Sequence, residues 1–473
     1  MNSEVDVIVV GAGPTGLALA CELALGGVRC RLLERRTDRP NITRAFGVHA
    51  RTLELLDARG LADELVAGGL PVHEVSPTPG TTLDLSTVDS RYPMVLIAPQ
   101  SRTELLLEKR AAELGVEIVR GAQVTALDVG PDEVRVERHD GTVDRAAYLV
   151  GCDGAHSTVR GRLGVDFVGK QYATHILLAD VRLTTPPEVA MFATASAAGV
   201  VLVVPFGDGW FRAIAWDRLR EQVPLDVPLP MAEMRDAFER IAGTDFGMCE
   251  QRWSSRFLSE RRQARRYRVG RAFLAGDAAH VHSPMGAQGM NTGIGDAMNL
   301  GWKLAATVGG WAPPGLLESY ETERHRVGRP VLMLTDGFNR LVLGRSAWQR
   351  AVQARMVRLL LGVRPTREFL AGRLTGLGIA YPPPGRGRHR WVGRRAPDVT
   401  CVEGRLYELL RDGRHVLVGG VAPDGPARIR SARRAAPVAR REPAAFLVRP
   451  DGYVAWAHDD VPTGHELAAL PVY

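Results

Sequence analysis

Val5-Asp6-Val7-Ile8-Val9-Val10-Gly11-Ala12-Gly13-Pro14-Thr15-Gly16 is the stretch whose reading decides the fold. The β-branched run Val5 to Val10 reads as a buried strand, because such side chains pack well on a pleated surface. It ends in a glycine turn. Leu17 to Leu25 then reads as a helix that Gly26-Gly27 stops, and Cys30 to Leu33 as a second strand ending at Glu34. Strand, glycine turn, helix, strand and acid, in that order, make a dinucleotide-binding unit. Gly11 permits the tight turn, Gly13 lets the backbone approach a pyrophosphate, and Gly16 lets helix and strand pack closely. The helix N-terminus attracts phosphate, and Glu34 can accept from a ribose hydroxyl. This unit alone does not separate FAD from NAD.

A second string makes that choice. Gly276-Asp277-Ala278-Ala279-His280-Val281-His282-Ser283-Pro284-Met285-Gly286-Ala287-Gln288-Gly289-Met290-Asn291 follows the strand-like run Ala272 to Ala275 and precedes a long helix, read from about Thr292 to Ala306. Asp277 would end the strand near the first phosphate turn, where a carboxylate can accept from a ribityl hydroxyl. Gly286 and Gly289 would let a planar ring approach the backbone. A helix starting near Asn291 would aim its N-terminal amides at that ring and stabilise negative charge on a reduced flavin. NAD has neither the ribityl chain nor such a ring. His280 and His282 have a spacing that invites a metal, but no third ligand lies nearby, so both read as structural or flavin-supporting and no metal is expected.

Between these strings, residues 49 to 59 and 101 to 114 read as helices, and Glu117 to Val119, Glu133 to Arg138 and Tyr148 to Gly154 as strands, the last ending in Asp153-Gly154. Ile176 to Leu183, Val200 to Pro205 and Phe211 to Trp216 follow without intervening helices, which predicts an antiparallel sheet and a different domain. A helical stretch runs to about residue 373. Tyr381-Pro382-Pro383-Pro384-Gly385-Arg386-Gly387 breaks all periodicity as a linker would, and Arg405 to Leu410, Val416 to Val418 and Ala445 to Arg449 beyond it suggest a small α/β unit.

Composition narrows the function class. Of 473 residues 45% are hydrophobic and 24% charged, as in an ordinary globular protein, and no run approaches the ~20 apolar residues of a membrane helix. Nothing at Met1 to Asp6 resembles a secretory signal, so a cytoplasmic address is the expectation. The net charge of +7 is carried almost wholly by arginine; Lys109, Lys170 and Lys303 are the only lysines. The arginine clusters 261 to 271 and 428 to 441 are not interleaved with aromatics as a stacking platform would be and read as solvated surface, so no nucleic-acid partner is expected. Cys21, Cys30, Cys152, Cys249 and Cys401 show neither Cys-x-x-Cys nor zinc spacing, and each is expected to be a buried apolar residue.

Taken with Gly151-Cys152-Asp153-Gly154-Ala155-His156-Ser157-Thr158-Val159-Arg160, the two glycine strings resemble the aromatic-hydroxylase group of single-component flavoprotein monooxygenases. The resemblance covers the first ~375 residues in motif order, and the tail resembles the thioredoxin-like appendage of the larger, polyketide- and antibiotic-modifying members. It implies an α/β fold with a discontinuous Rossmann-like FAD-binding domain (1–75, 96–175 and 268–380), an inserted substrate-binding sheet domain (76–95 and 176–267) and a C-terminal thioredoxin-like domain (390–473). Lacking Cys-x-x-Cys, that tail cannot run dithiol chemistry and is expected to serve oligomerisation or packing, with a homodimer left open.

The resemblance also assigns residues. Gly11, Gly13, Thr15, Gly16 and Glu34 would hold the ADP half of FAD, and Arg35, Arg44, Gln100 and Val124 match further contact positions. Asp277, Gly286, Gly289, Met290 and Asn291 match the ribityl and flavin-ring contacts, and the string with Asp153 and Thr158 is associated with FAD and NADPH binding. Thr43 to Arg51 matches a loop near the mobile flavin, although Phe46 is bulkier than the residue expected there. NADPH or NADH would reduce the flavin, O2 would add at C4a, and the terminal oxygen of that hydroperoxide would attack an electron-rich carbon of a bulky phenolic or polycyclic aromatic metabolite. Epoxidation or Baeyer-Villiger insertion on a related polyketide, and a flavin-binding protein without turnover, are the alternatives. No catalytic triad is expected. Met191, Phe192, Val203, Phe206, Trp210, Arg212 and Trp216 include the substrate-pocket candidates, about half of which must face elsewhere at period two. Arg212 on an apolar strand needs an anionic or phenolic partner. Pro284 would shape the turn beneath the ring, on the substrate side.

Overall fold

A computed structural model of the chain describes residues 5–38, 45–76, 81–189, 191–282, 286–342, 347–382, 389–421, 429–436 and 442–462. Val5–Val10 lies at the centre of an eight-stranded sheet, parallel to Cys30–Glu34 on one side and to Val143–Gly151 on the other. Glu117–Arg120 and Ala272–Leu274 extend it in parallel, and Val124–Val129 with Val134–Arg138 adds an antiparallel hairpin. A parallel strand covered on both faces must be apolar almost throughout, and Val7, Ile8 and Val9 have no exposure. Helix α1 (Pro14–Leu25) starts with Pro14 in its first turn, where the missing N–H costs nothing, and helix α2 (Ala50–Asp57) follows the short strand Gly47–His49.

The inserted sheet has six strands in the order Phe192–Ala195, Gly199–Pro205, Phe211–Asp217, Phe167–Leu183, Met248–Ala264 and His280–Val281, all antiparallel. The strand expected at Ile176 to Leu183 begins nine residues earlier, at Phe167, and its 17-residue partner Met248–Ala264 was not anticipated. Helix α3 (Met231–Ala242), also unanticipated, closes one face of this sheet, where Leu177, Ala179, Val181, Val201, Val203, Ala213 and Ala215 form a core with Met234, Ala237 and Phe238. The opposite face carries Ile176, Leu178, Val200, Ile214, Trp216, Trp253 and Phe257.

Helix α4 (Gln288–Val308) starts three residues before Asn291 rather than at it, and lies against α1 so closely that Cβ atoms at Gly26 and Gly301 would stand 2.4 and 2.3 Å from Ala305 and Glu22. Helix α5 (Leu316–Val342) follows it. No helix among the described residues is long and apolar enough to cross a membrane. Beyond residue 389 the strand order is Ile429–Ala432, His415–Val418, Ala445–Val448, Val454–His458, with the first pair parallel and the others antiparallel, a thioredoxin-like sheet.

Buried ion pairs fasten this C-terminal module to the rest. Arg59 grips Glu22 with Nε and Nη2 at 2.5 and 2.6 Å and donates to the carbonyls of Leu410 and Pro450, both at 3.0 Å. Arg449 grips Glu323 at 2.7 and 2.9 Å, and Glu323 also accepts from Lys303 and Asn299. Burial opposes the Glu323 charge, but Arg449 and Lys303 outweigh it and hold its carboxyl well below the usual range. Such networks gain little net stability over apolar packing, but removing one partner would leave a buried charge uncompensated.

Candidate active site

The glycine turn is fixed by contacts that leave no room for side chains. Gly11 has φ +103° and a Cβ there would lie 2.5 Å from the Cys152 carbonyl oxygen; a Cβ on Gly16 would lie 1.9 Å from the carbonyl oxygen of Gly11. Gly13 differs: nothing lies within 4 Å of where its Cβ would be, and it caps α1 without a side-chain bond. The first turn of α1 thus presents free amides beside open space, which is what a pyrophosphate requires. Thr15 sits between Gly276 and Gly293, whose added Cβ atoms would meet its Oγ1 at 2.5 and 2.2 Å. The two glycine strings therefore meet around one threonine side chain.

Glu34 accepts from the amides of Ala12 at 2.8 Å and Arg36 at 3.0 Å, so the acid is bonded to the turn it was expected to serve. Arg35 is exposed, and Arg44 lies outside the described residues. Gln100 accepts from the Ala45 amide at 3.0 Å and donates to Glu104 at 2.8 Å. Val124 is buried at the start of its strand, two residues after Ala122, whose amide donates to the Glu34 carbonyl. Asp153 uses one oxygen on Ser157 Oγ at 2.5 Å and the other on the Val159 amide at 3.1 Å, ordering the short helix that begins at the exposed Thr158.

At the head of α4, Gly286 has φ +83° and Ala287 φ +51°, and no side chain caps the helix. Asp277 is exposed in a 3-10 turn rather than at the strand end, its Oδ1 3.8 Å from the Cβ position of Gly289. Met290 is buried in the main core. Asn291 accepts from the His49 amide at 2.9 Å and donates to the carbonyls of Gly47 at 2.9 Å and Ala287 at 2.7 Å, tying the Gly47–His49 strand to the helix. Pro284 lies outside the described residues. Two uncapped helix N-termini, an exposed carboxylate between them and open space beside Gly13 fit a dinucleotide carrying a ribityl chain and a ring.

Behind this site runs a buried network that the sequence did not disclose. Asp296, with no exposure, accepts from Gly276 N at 3.0 Å, bonds His280 Nε2 at 2.6 Å, and accepts from Arg324 Nε at 2.6 Å. Burial alone would raise its pKa, but Arg324 and His280 overcome that and bring it to about 2. The same burial, with the neighbouring His280, pushes His282 well below an ordinary histidine. His280 and His282 have ring centroids 4.9 Å apart, and His280 is committed to Asp296.

Strand parity sorts the substrate candidates. Phe192 and Val203 pack with the α3 core and are not pocket residues. Phe206 is buried, and Met191 and Trp210 partly so, in a cluster with Val72, Ile97 and Phe46, between the inserted sheet and the strands next to α2. Trp216 packs with Trp253 on the face opposite α3. Arg212 does have an anionic partner, but within the sheet: Nε donates to Asp180 Oδ1 at 2.6 Å, and Arg252 stands 3.5 Å from the other oxygen. Its guanidinium lies 5.8 Å from the Phe46 ring and 5.3 Å from those of Phe206 and Trp253. Phe46, just before the Gly47–His49 strand, thus lies against the arginine-bearing face of the inserted sheet. Val203→Ala, on the α3 face, is expected to cost about 2 kcal/mol in chemical denaturation and to leave the KM for substrate unchanged; a raised KM would put the parity in error.

Among the cysteines, Cys21, Cys30 and Cys401 are buried, whereas Cys152 is partly covered and Cys249 is exposed, against expectation. Cys249 lies on a strand otherwise unread, where alternate residues must face solvent.

Two family models match the chain: FAD binding domain over residues 4–335, and aromatic-ring hydroxylase, C-terminal, over residues 389–470. Rifampicin monooxygenase of Streptomyces venezuelae is 40% identical over 476 residues, covering 96% of each chain. Among solved structures, the OxyS anhydrotetracycline hydroxylase from Streptomyces rimosus superposes with a TM-score of 0.87 at 38% identity over 99% of each chain. The Diels-Alderase PyrE3 of pyrroindomycin biosynthesis does so with 0.84 at 34% identity over 99% of each.

Proposed function

Because the chain belongs to the FAD-binding aromatic-ring hydroxylases and is an FAD-dependent monooxygenase, we propose that it uses NADPH or NADH and O2 to hydroxylate a bulky phenolic or polycyclic aromatic metabolite. The observation that carries this reading is that Phe46, next to the strand that Asn291 ties to the uncapped head of α4, lies against the apolar, arginine-bearing face of the inserted sheet, so that the two features adjoin. FAD, when bound there, supplies the oxygen-transfer chemistry. The chain's own residues do the rest. Gly11, Gly13, Thr15, Gly16 and Glu34 would hold the adenylate half, with Arg35, Arg44, Gln100, Val124, Asp153 and Thr158 flanking it. Asp277, Gly286, Gly289, Met290 and Asn291 would hold the ribityl chain and ring. Phe206, Trp210, Trp216 and Phe46 would exclude water from the substrate, and Pro284 would border it. The Arg212–Asp180 pair offers fixed charge to a phenolic oxygen without a free arginine being stranded in the sheet.

The likeness to a Diels-Alderase supports a second reading, in which the same site folds a substrate without oxygenating it. Purified protein is expected to be yellow and to oxidise NADPH in air faster when one of a panel of polycyclic phenols is added, giving a product one oxygen heavier. A yellow protein whose product has the substrate's own mass would establish the second reading instead. A protein that never binds FAD would end both.

A further inference from the structure

A cavity of about 30 Å3 lies between α2, the first turn of α4 and the C-terminal module, lined by His49, Arg51, Gln288, Asn291, Asp451 and Tyr453 among others. Two of these residues bury a side-chain atom that finds no hydrogen-bond partner in the protein: Nδ1 of His49 and Nε of Arg51. The rest of each side chain is committed. Arg51 Nη1 donates to Glu54 Oε2 at 3.0 Å and to the Tyr407 hydroxyl at 2.7 Å, Nη2 donates to the Asp451 carbonyl at 2.7 Å, and the guanidinium lies 4.9 Å from the Tyr453 ring centroid. The His49 imidazole is hydrogen-bonded to the backbone of Gly286, while its own amide donates to Asn291.

The two unmet atoms are complementary. Arg51 Nε is an obligate donor, and burial keeps the His49 ring neutral, bringing its pKa down to about 4. A neutral imidazole whose other nitrogen carries the proton accepts at Nδ1. Buried polar groups are nearly always satisfied, by ordered water where the protein offers nothing, and a space of this size with polar walls holds a water. We propose that an internal water in this cavity joins Arg51 to His49. It completes a fixed path from Tyr407 and Asp451 of the C-terminal module to Gly286 at the head of α4, so that the C-terminal module positions the turn facing the flavin. The proposal rests on the reading of Gly286 as part of that turn. It gives the module a task at the active site although it supplies no catalytic residue: His49 and Arg51 are positioning residues.

The test compares wild type, Tyr407→Phe, His49→Phe and the double variant by FAD dissociation constant, read from flavin fluorescence quenching, and by the visible circular dichroism of the bound flavin. Each single change is expected to weaken FAD by up to about tenfold, the order of one hydrogen bond to a charged group, and to alter the flavin band. The double variant is expected to be no weaker than the weaker single one, because one path is broken once. Additive effects, or a Tyr407→Phe that lowers the melting temperature while FAD affinity and dichroism stay at wild type, overturn the proposal. So does a high-resolution crystal structure of the FAD-loaded enzyme without water within hydrogen-bond reach of both atoms. Wild-type protein that binds no FAD would defeat the reading of Gly286 itself, a different outcome from unchanged variants of a yellow protein.

Discussion

Gly16→Ala is expected to yield a folded but colourless protein whose affinity for FAD has fallen at least 100-fold, about 2.7 kcal/mol. The added methyl would lie 1.9 Å from the Gly11 carbonyl oxygen, a backbone atom with no rotamer to escape into. Gly11 cannot yield, since its own Cβ position lies 2.5 Å from the Cys152 carbonyl oxygen and its φ of +103° suits only glycine. The strain must therefore move the head of α1, and its amides leave the position where they would meet phosphate. Gly13→Ala is the control: it meets nothing of the protein within 4 Å, so any loss there reports the ligand's own approach. The ratio of flavin to protein absorbance after purification, followed by FAD titration, decides. Stoichiometric flavin in Gly16→Ala would mean the turn does not hold the pyrophosphate.

That glycine turn was legible because everything it needs is local. Strand, turn, helix and acid follow one another within Val5 to Glu34, and the structure keeps their order. The head of α4 was less so. Helix starts are read from capping side chains, and Ala287 offers none; its left-handed backbone and the glycine before it do the work instead, so the start was placed three residues late. Met248–Ala264 went unread because its Arg and Glu residues mask the alternation. In the sheet those charges are answered from a distance, Arg256 by Glu233 on α3 and Arg252 by Asp180 on the neighbouring strand.

Arg212 shows where sequence reasoning stops. That a buried arginine requires an anion follows from electrostatics alone, but nothing local says that the anion is Asp180, 32 residues away, rather than a ligand. The same limit hid the docking face. Every residue of α2 is buried, charged ones included, a pattern that excludes a surface helix, yet the partners of Arg51 and Asp57 lie some 350 residues on. Arg51, Glu54 and Asp57 fall at i, i+3 and i+6 and share one face, so the sequence of α2 reads as an ordinary helix with a solvent-facing charged stripe. Nothing local in Ala50 to Asp57 says that this stripe is covered by a module some 350 residues on.

Asp296→Asn is expected to destabilise the protein by about 3–5 kcal/mol, the cost of leaving a buried arginine without its counter-charge, and to flatten its acid unfolding. The folded-state pKa of Asp296, about 2, lies below the 3.8 of a free carboxyl. A depressed acid contributes its full stability above the unfolded value and loses it as pH falls through the folded one, so the contribution fades between about pH 4 and pH 2. Nearly two pH units correspond to on the order of 2 kcal/mol. Wild type is therefore expected to lose stability across that window by this amount more than the variant does, in urea unfolding at stepped pH. The loss should extend to the cofactor, because the same carboxylate holds the Gly276 amide, and Gly276 closes on Thr15 where the two glycine strings meet. Arg324→Met added to Asp296→Asn is expected to recover part of the stability, since no unanswered charge is then left, but not the FAD affinity, since the Gly276 turn still lacks its acceptor. Recovery of both together would make Asp296 merely the partner of Arg324, and recovery of neither would mean that His280 rather than Arg324 is the group it principally serves.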